Sequence, residues 1–422
     1  MRTLNVYACF DWLPAPLLMG ELGYKSLRGS DSYSFRFNEE WLRKQGSLFI
    51  CADLRNYPGM QYTLPGRDIF GCFSDALPDR WGCLLLSRRE QILSSEEQRP
   101  MRRLTSFDYL TGIDDFSRMG ALRFKLSPDN DYINTTGSLR IPPLADIKAL
   151  VAASHEVERS EEKNTLPEKR WIQQLVNPGS SLGGARPKAG VLDDEGRLCV
   201  AKFPSRNDDY DVALWEHLCH LLAREAGITV ADTSVISVGE RHHVFLSRRF
   251  DRTDDGRRRH FASAMTLLGL TDGCSATTGN GYLDIVDFIL QHCCDVEWNL
   301  RQLYRRVAFN IAVGNSDDHF RNHGFLLTSR GWTLAPAYDM NPTLNTSQSL
   351  LINRNSNAAD LGLLLESSDE YMIPRDEGQC IIHEVLKAVA KWQTIAHRLK
   401  IPQREIDYFR GVFERNETNK MV

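Results

Sequence analysis

Two aspartates, two asparagines and two histidines stand within twelve residues, "GNSDDHFRNHGF" (314–325), directly after the apolar run "RVAFNIAV" (306–313). Carboxylates, imidazoles and amides at this density suit a metal centre, a hydrolytic site or a phosphoryl-transfer loop, and a polar Asx-rich turn after a helix would also account for them. Asp339 follows 22 residues after Asp317, in "LAPAYDMNP". Phosphoryl transfer needs one carboxylate to orient the attacking hydroxyl, and an Asn and a second Asp to hold Mg²⁺ against the phosphates. Asp317, Asn322 and Asp339 are those residue types in that order.

Two segments upstream carry further chemistry. In "SSLGGARPKAGVL" (180–192), Gly183 and Gly184 let the backbone approach a ligand closely, exposed amides in such a turn bind anions, and Lys188 follows. In "RLCVAKFP" (197–204), strand alternation sets Val200 and Lys202 on one face. A Lys on a strand after a Gly-rich hairpin is how protein kinases hold nucleotide phosphates. Solvated lysines at a hairpin and a strand end are the plainer explanation. Glu216, on the helix that follows, could pair with Lys202 or be an ordinary surface carboxylate. "GSSLG" (179–183) also fits the G-x-S-x-G nucleophile elbow, which needs a core strand before it and a helix after it. The Asn177-Pro178 pair and Pro187 speak against that. His217, Cys219 and His220 have a metal-like spacing, but no second cluster completes it.

The elements that must position these residues differ along the chain. A length of 422 residues, 42% hydrophobic and 25% charged, is that of a globular protein with room for two or three domains. A net charge of −4 and a pI near 6.3 give no basic field for direct nucleic-acid binding. The opening "MRTLNVYACFDWLPAP" does not read as a signal peptide, and no run approaches the ~18 apolar residues of a membrane span. The ten cysteines are scattered, with one adjacent pair (Cys293, Cys294) and no C-x-x-C, so free thiols in a reducing cytoplasm are expected. The sequons at Asn134, Asn345 and Asn416 then carry no meaning.

Residues 1–125 mix β-like pieces ("LNVYACFDW", "SLFICADL") with a helix after "LPDRWG" (77–82). Residues 126–168 connect, with a helix in "LADIKALVAASHEVE" and an exposed linker in "RSEEKNTLPEK". From 169 to 252 strand-like runs surround one helix, 210–226, whose Val212, Trp215, Leu218 and Leu222 share a face. From 253 to 422 the pattern is mostly helical, as in "LDIVDFILQHCC", "EWNLRQLYRRVAFNIAVG" and "CIIHEVLKAVAKWQTIAHRL".

Taken together, "SSLGGARPKA", "CVAKF", "FLSRRFDR" (245–252), "GNSDDHFRNHGF" and "YDMNP" resemble the HipA family of Ser/Thr kinase toxins from bacterial toxin–antitoxin systems. "VYACFDW" and "FSDALPDRWG" match that family's amino-terminal subdomain, so the resemblance spans nearly the whole chain. It implies an α+β, bilobed protein-kinase-like fold with an additional N-terminal α/β subdomain and a mostly helical C-terminal lobe. It implies Asp317 as catalytic base, Asn322 and Asp339 as Mg²⁺ ligands, and Lys202 on the α/β phosphates of ATP. Ser181, Leu182, Gly183, Gly184, Ala185 and Lys188 would form the phosphate loop, with adenine near Arg249, Phe250 and Asp251. Arg248 stands where some relatives carry an acidic residue. His319 would be a structural or nucleotide contact. Ser181, with Ser180 as the alternative, would be the autophosphorylation site. The implied partners are a protein substrate, an aminoacyl-tRNA synthetase among those expected of the family, and a small helix-turn-helix antitoxin through which DNA would be bound. A catalytically weak pseudokinase and a serine hydrolase using Ser181 are the alternatives. The expected location is the cytoplasm.

Overall fold

Every second residue of the first strand faces inward: Leu4, Val6 and Ala8 are fully buried, and Thr3, Asn5 and Tyr7 are not. This alternation marks a sheet with one covered face. Its strands are β1 (Arg2–Ala8), β2 (Leu17–Leu27), β3 (Ser30–Phe37), β4 (Met60–Tyr62) and β5 (Leu122–Lys125), all antiparallel, in the order β4-β3-β2-β1-β5. Phe35, Phe70, Phe73 and Phe124 meet edge-to-face or tilted at 5.5–6.4 Å in the core. The β2–β3 hairpin was not anticipated, because two glycines within β2 argue locally against a strand. Gly20 is needed there, since a Cβ would stand 2.3 Å from the Arg36 carbonyl oxygen.

The computed structural model describes residues 2–27, 30–64, 66–135, 141–176, 184, 186–239 and 241–415. The chain divides into two units: residues 1–207 with 246–262, and residues 208–245 with 263–422. Among the described residues no helix is long and apolar enough to cross a membrane.

In the first unit, "SLFICADL" forms no strand, only a bridge between Cys51 and Leu54. Asp53 explains this: one carboxylate oxygen accepts from Cys51 Sγ at 3.0 Å and the other from the Gly71 amide at 2.8 Å, which holds the segment in a turn. The helix expected after "LPDRWG" begins within that motif, at Arg80–Glu96, because the Asp79 carboxylate caps it by accepting from the Gly82 amide at 2.8 Å. The helix Ile147–Glu162 runs four residues into the stretch read as a linker, held by an Arg88–Glu161 ion pair. β6 (Lys188–Leu192) and β7 (Leu198–Lys202) form an antiparallel hairpin that sets Lys188 directly opposite Lys202. Residues 246–262 return to this unit: Phe10 stacks on His260 at 5.2 Å, and Arg258 donates to the Asp115 carbonyl at 2.6 Å.

In the second unit the expected helix is Val212–Glu225, buried along most of its length. β8 (Thr233–Ser237) and β9 (His243–Arg248) follow, and the end of β9 carries the chain back into the first unit. β10 (His260–Ser263) precedes the helices Tyr282–His292 and Val296–Val313. β11 (Gly324–Thr328) and β12 (Gly331–Leu334) form a tight antiparallel hairpin. The helical stretch "CIIHEVLKAVAKWQTIAHRL" falls in two helices, Arg375–Val389 and Trp392–Arg398. The break lets Trp392, 2% exposed, stack on Phe413 at 4.7 Å.

Candidate active site

The helix Val296–Val313 stops at Gly314, whose φ of 68° only glycine adopts without strain. A loop follows to β11, and Asp318 pins it. The Asp318 side chain is buried, and its Oδ2 accepts from Tyr282 Oη at 2.6 Å, Asn310 Nδ2 at 2.7 Å and His323 Nε2 at 2.8 Å. Burial alone would raise the Asp318 pKa, but the His323 charge and the bonds from His323 and Tyr282 hold it below the usual carboxylate range. The loop is clamped further at Ser316, whose carbonyl accepts from the Ser349 amide at 3.0 Å and hydroxyl at 2.8 Å.

Asp317, the neighbour of this anchor, is exposed. Its carbonyl accepts from Asn322 Nδ2 at 3.0 Å and from the His319 amide at 3.2 Å. That bond commits the Asn322 nitrogen, so its amide oxygen is the atom that can ligate a cation. Asp339 lies just past β12 with φ of 59°, an uncommon conformation for a non-glycine residue. The surrounding protein raises the Asp317 pKa, His319 opposes this, and repulsion from Asp339 and Asp318 adds to it. The Asp317 and Asp339 carboxylates are thus electrostatic neighbours. His319 Nδ1 is buried with no hydrogen-bond partner among the described residues. Hard oxygen donors beside repelling carboxylates fit Mg²⁺, which completes its octahedron with water and phosphate oxygens. The second unit therefore gathers Asp317, His319, Asn322 and Asp339.

The first unit holds the candidate phosphate contacts. Lys188 is 1% exposed and its Nζ lies 2.9 Å from Asp79 Oδ2. Lys202 is half-buried at the end of β7. Gly184 has φ of 85°, and a Cβ there would come within 3.3 Å of Lys188 Nζ. Ser180, Ser181, Leu182, Gly183 and Ala185 lie outside the described residues.

Arg249 and Asp251 hold one another. Arg249 Nε and Nη2 each lie 2.6 Å from an Asp251 carboxylate oxygen, and Asp251 Oδ2 also accepts from the Gly120 amide at 2.8 Å and from Arg252 Nη1 at 2.6 Å. Both side chains are buried and spent on binding segments of their own unit together, so a nucleotide contact here would fall to the main chain. The Phe250 ring packs against Phe261 at 5.9 Å, and Arg248 pairs with Asp254.

Four further candidates lie on the helix Val212–Glu225. Glu216 is 2% exposed on that helix, in the second unit, which rules out the reading of it as an ordinary surface carboxylate. His217 Nδ1 lies 2.9 Å from Thr233 Oγ1, and burial lowers its pKa to about 4. Cys219 and His220 are buried beside it. The nucleophile-elbow residues Gly179–Gly183 lie outside the described residues, and the last described element before them is the helix Lys169–Val176, where an elbow would call for a core strand.

Two residues that sequence reasoning passed over emerge here, Asp318 and Asp79. The helix start after Asp79 was a visible signal for a cap, but nothing local tied Asp79 to Lys188, 109 positions on. For Asp318 no local signal separates it from Asp317.

The HipA-like C-terminal domain family matches residues 180–393, 214 of the 422 residues. The serine/threonine-protein kinase toxin HipA of Shewanella oneidensis is 24% identical over 214 residues, covering 45% of this chain and 48% of that protein. A provisionally named kinase of Haemophilus influenzae is 27% identical over 188 residues, covering 40% of this chain and 54% of that protein. The chain thus spans about half the length of the curated relatives it matches. Among solved structures, the Shewanella oneidensis toxin–antitoxin complex of HipA, HipB and operator DNA contains a chain that superposes with a TM-score of 0.66 at 16% identity, over 97% of this chain and 95% of that one. That likeness is one of fold, mixed helix and sheet throughout.

Proposed function

Because the chain belongs to the HipA-like C-terminal domain family, we propose that it is an ATP-dependent protein serine/threonine kinase of the HipA toxin type. The observation that carries this reading is the arrangement of the 315–323 loop. A buried Asp318 fixes it, Asp317 is exposed beside that anchor, Asn322 bonds back to Asp317, and the Asp339 carboxylate acts on Asp317. Those are the groups phosphoryl transfer requires. The curated relatives' names, which give them as kinases, support it as well.

In this reading Asp317 accepts the proton of a serine or threonine hydroxyl. As the hydroxyl oxygen bonds to the γ-phosphorus, the bond from that phosphorus to the β–γ bridging oxygen breaks and ADP leaves. Asn322 and Asp339 would hold Mg²⁺, which screens the phosphate charge when bound. Lys188 and Lys202 serve the phosphates, and the orphaned His319 nitrogen a nucleotide or phosphate oxygen. Ser181, with Ser180 the alternative, takes the autophosphorylation. The protein works in the cytoplasm, and a helix-turn-helix antitoxin of the HipB kind, the partner present in the structurally similar complex, would bind it and connect it to DNA. The phosphorylated protein is an aminoacyl-tRNA synthetase or another cellular protein.

Mass spectrometry of the purified protein before and after ATP and Mg²⁺ tests the assignment. A gain of phosphate that disappears in Asp317→Ala is expected. Nucleotide binding with no transfer to itself or to lysate proteins would make it a pseudokinase and overturn the reading.

A further inference from the structure

The motif "FSDALPDRWG" has no role in the proposed chemistry, yet its Asp79 reaches the phosphate segment of its own unit. Asp79 Oδ2 lies 2.9 Å from Lys188 Nζ, and both side chains are 2% exposed. The length is that of a close ion pair. The carboxylate does not drift, because Oδ1 caps the helix Arg80–Glu96 through the Gly82 amide at 2.8 Å. On the other side Gly184 approaches so closely, with φ of 85°, that a side chain there would crowd the ammonium at 3.3 Å. Lys202 is the residue across the ladder from Lys188.

A stability role explains this poorly. A buried ion pair gains little over a packed apolar pair, since two charges lose their water. Kinases hold a phosphate-binding lysine with a carboxylate from another element. Among the described residues of the first unit, Asp79 has that geometry. We propose that Asp79 is a positioning residue of the nucleotide site, holding the Lys188 ammonium at the head of β6 so that its charge is presented to nucleotide phosphates. The amino-terminal region thereby contributes to nucleotide binding. The proposal rests on the kinase reading.

The test uses the full chain with Asp79→Asn, Lys188→Gln and the double variant. Asn caps a helix as well as Asp does, so Asp79→Asn removes the charge and keeps the cap. The readouts are equilibrium binding of Mg–ADP, the ATP KM and kcat of phosphotransfer, and the melting temperature without nucleotide. The expected result is a nucleotide affinity roughly ten- to hundredfold weaker in either single variant, the worth of a charged hydrogen bond. The loss falls on KM more than on kcat, and the double variant is no weaker than the singles. Unchanged Mg–ADP affinity in folded Asp79→Asn, or losses that simply add, would mean a structural ion pair only and overturn the proposal. Should Asp79→Asn fail to fold, Lys188→Gln decides: folded protein with wild-type Mg–ADP affinity sinks the idea. A wild-type chain that binds no nucleotide would instead defeat the kinase reading, and this inference with it.

Discussion

Asp317 and Asp318 are chemically identical neighbours in opposite environments. Asp318 takes three donors onto one oxygen in the core, while Asp317 is exposed with a raised pKa. Asp317→Ala should therefore cost at least ~10²-fold in phosphotransfer rate, the share of base and positioning, and leave the melting temperature nearly unchanged. Wild-type turnover in that variant would remove the base assignment. Asp318→Ala should destabilise by about 3 kcal/mol or more, because Tyr282, Asn310 and His323 each lose their acceptor. Urea unfolding measures that. The Asp318 pKa is depressed in the fold, so its stabilisation is complete above the unfolded value near ~4 and is lost as pH falls through the folded one. Asp318→Asn should consequently flatten the acid limb of stability below the unfolded value of about pH 4. A limb as steep as wild type would assign acid sensitivity to other carboxylates. The residue types of this loop were legible because Asp, His and Asn concentrate in it. Which aspartate would be buried was not, since that depends on Tyr282, 36 residues earlier.

At the scale of elements, local periodicity carried far. The helices Val212–Glu225 and Val296–Val313 lie where apolar spacing puts them. Reading failed where tertiary contacts overrode local preference: the β2–β3 hairpin with its close-packed glycine and the turn held by Asp53. The helix stop at Gly314 is a test of this scale. A Cβ there would meet Val412 Cγ1 at 2.3 Å and the Thr343 carbonyl at 3.0 Å, at a positive φ. Gly314→Ala should lower stability by more than about 1 kcal/mol and reduce turnover as well, since the 315–323 loop starts from that residue. Chemical denaturation together with a phosphotransfer assay checks both. A stable but inactive variant would mean the loop alone was displaced.

For the whole molecule, composition bounded the class, but no local pattern announced that the first unit borrows residues 246–262. That segment supplies Asp251 to the Gly120 amide and Arg258 to Asp115, both in the core. A fragment of residues 1–207 should therefore lack a cooperative melt by circular dichroism, and joining 246–262 to it through a flexible linker should restore one. Cooperative melting of 1–207 alone would show the returning segment to be dispensable. The same borrowing sets an order of events during synthesis. When residue 207 leaves the ribosome the first unit still waits for 55 more residues (262 − 207), roughly 3–11 s at usual elongation rates. Through that interval Asp115, Arg118 and the underside of Phe10 lack their cover, although the Lys188 hairpin has already been made. Translation pausing in that window would prolong the half-built state, and a partner acting on the nascent chain would meet it before the unit could close.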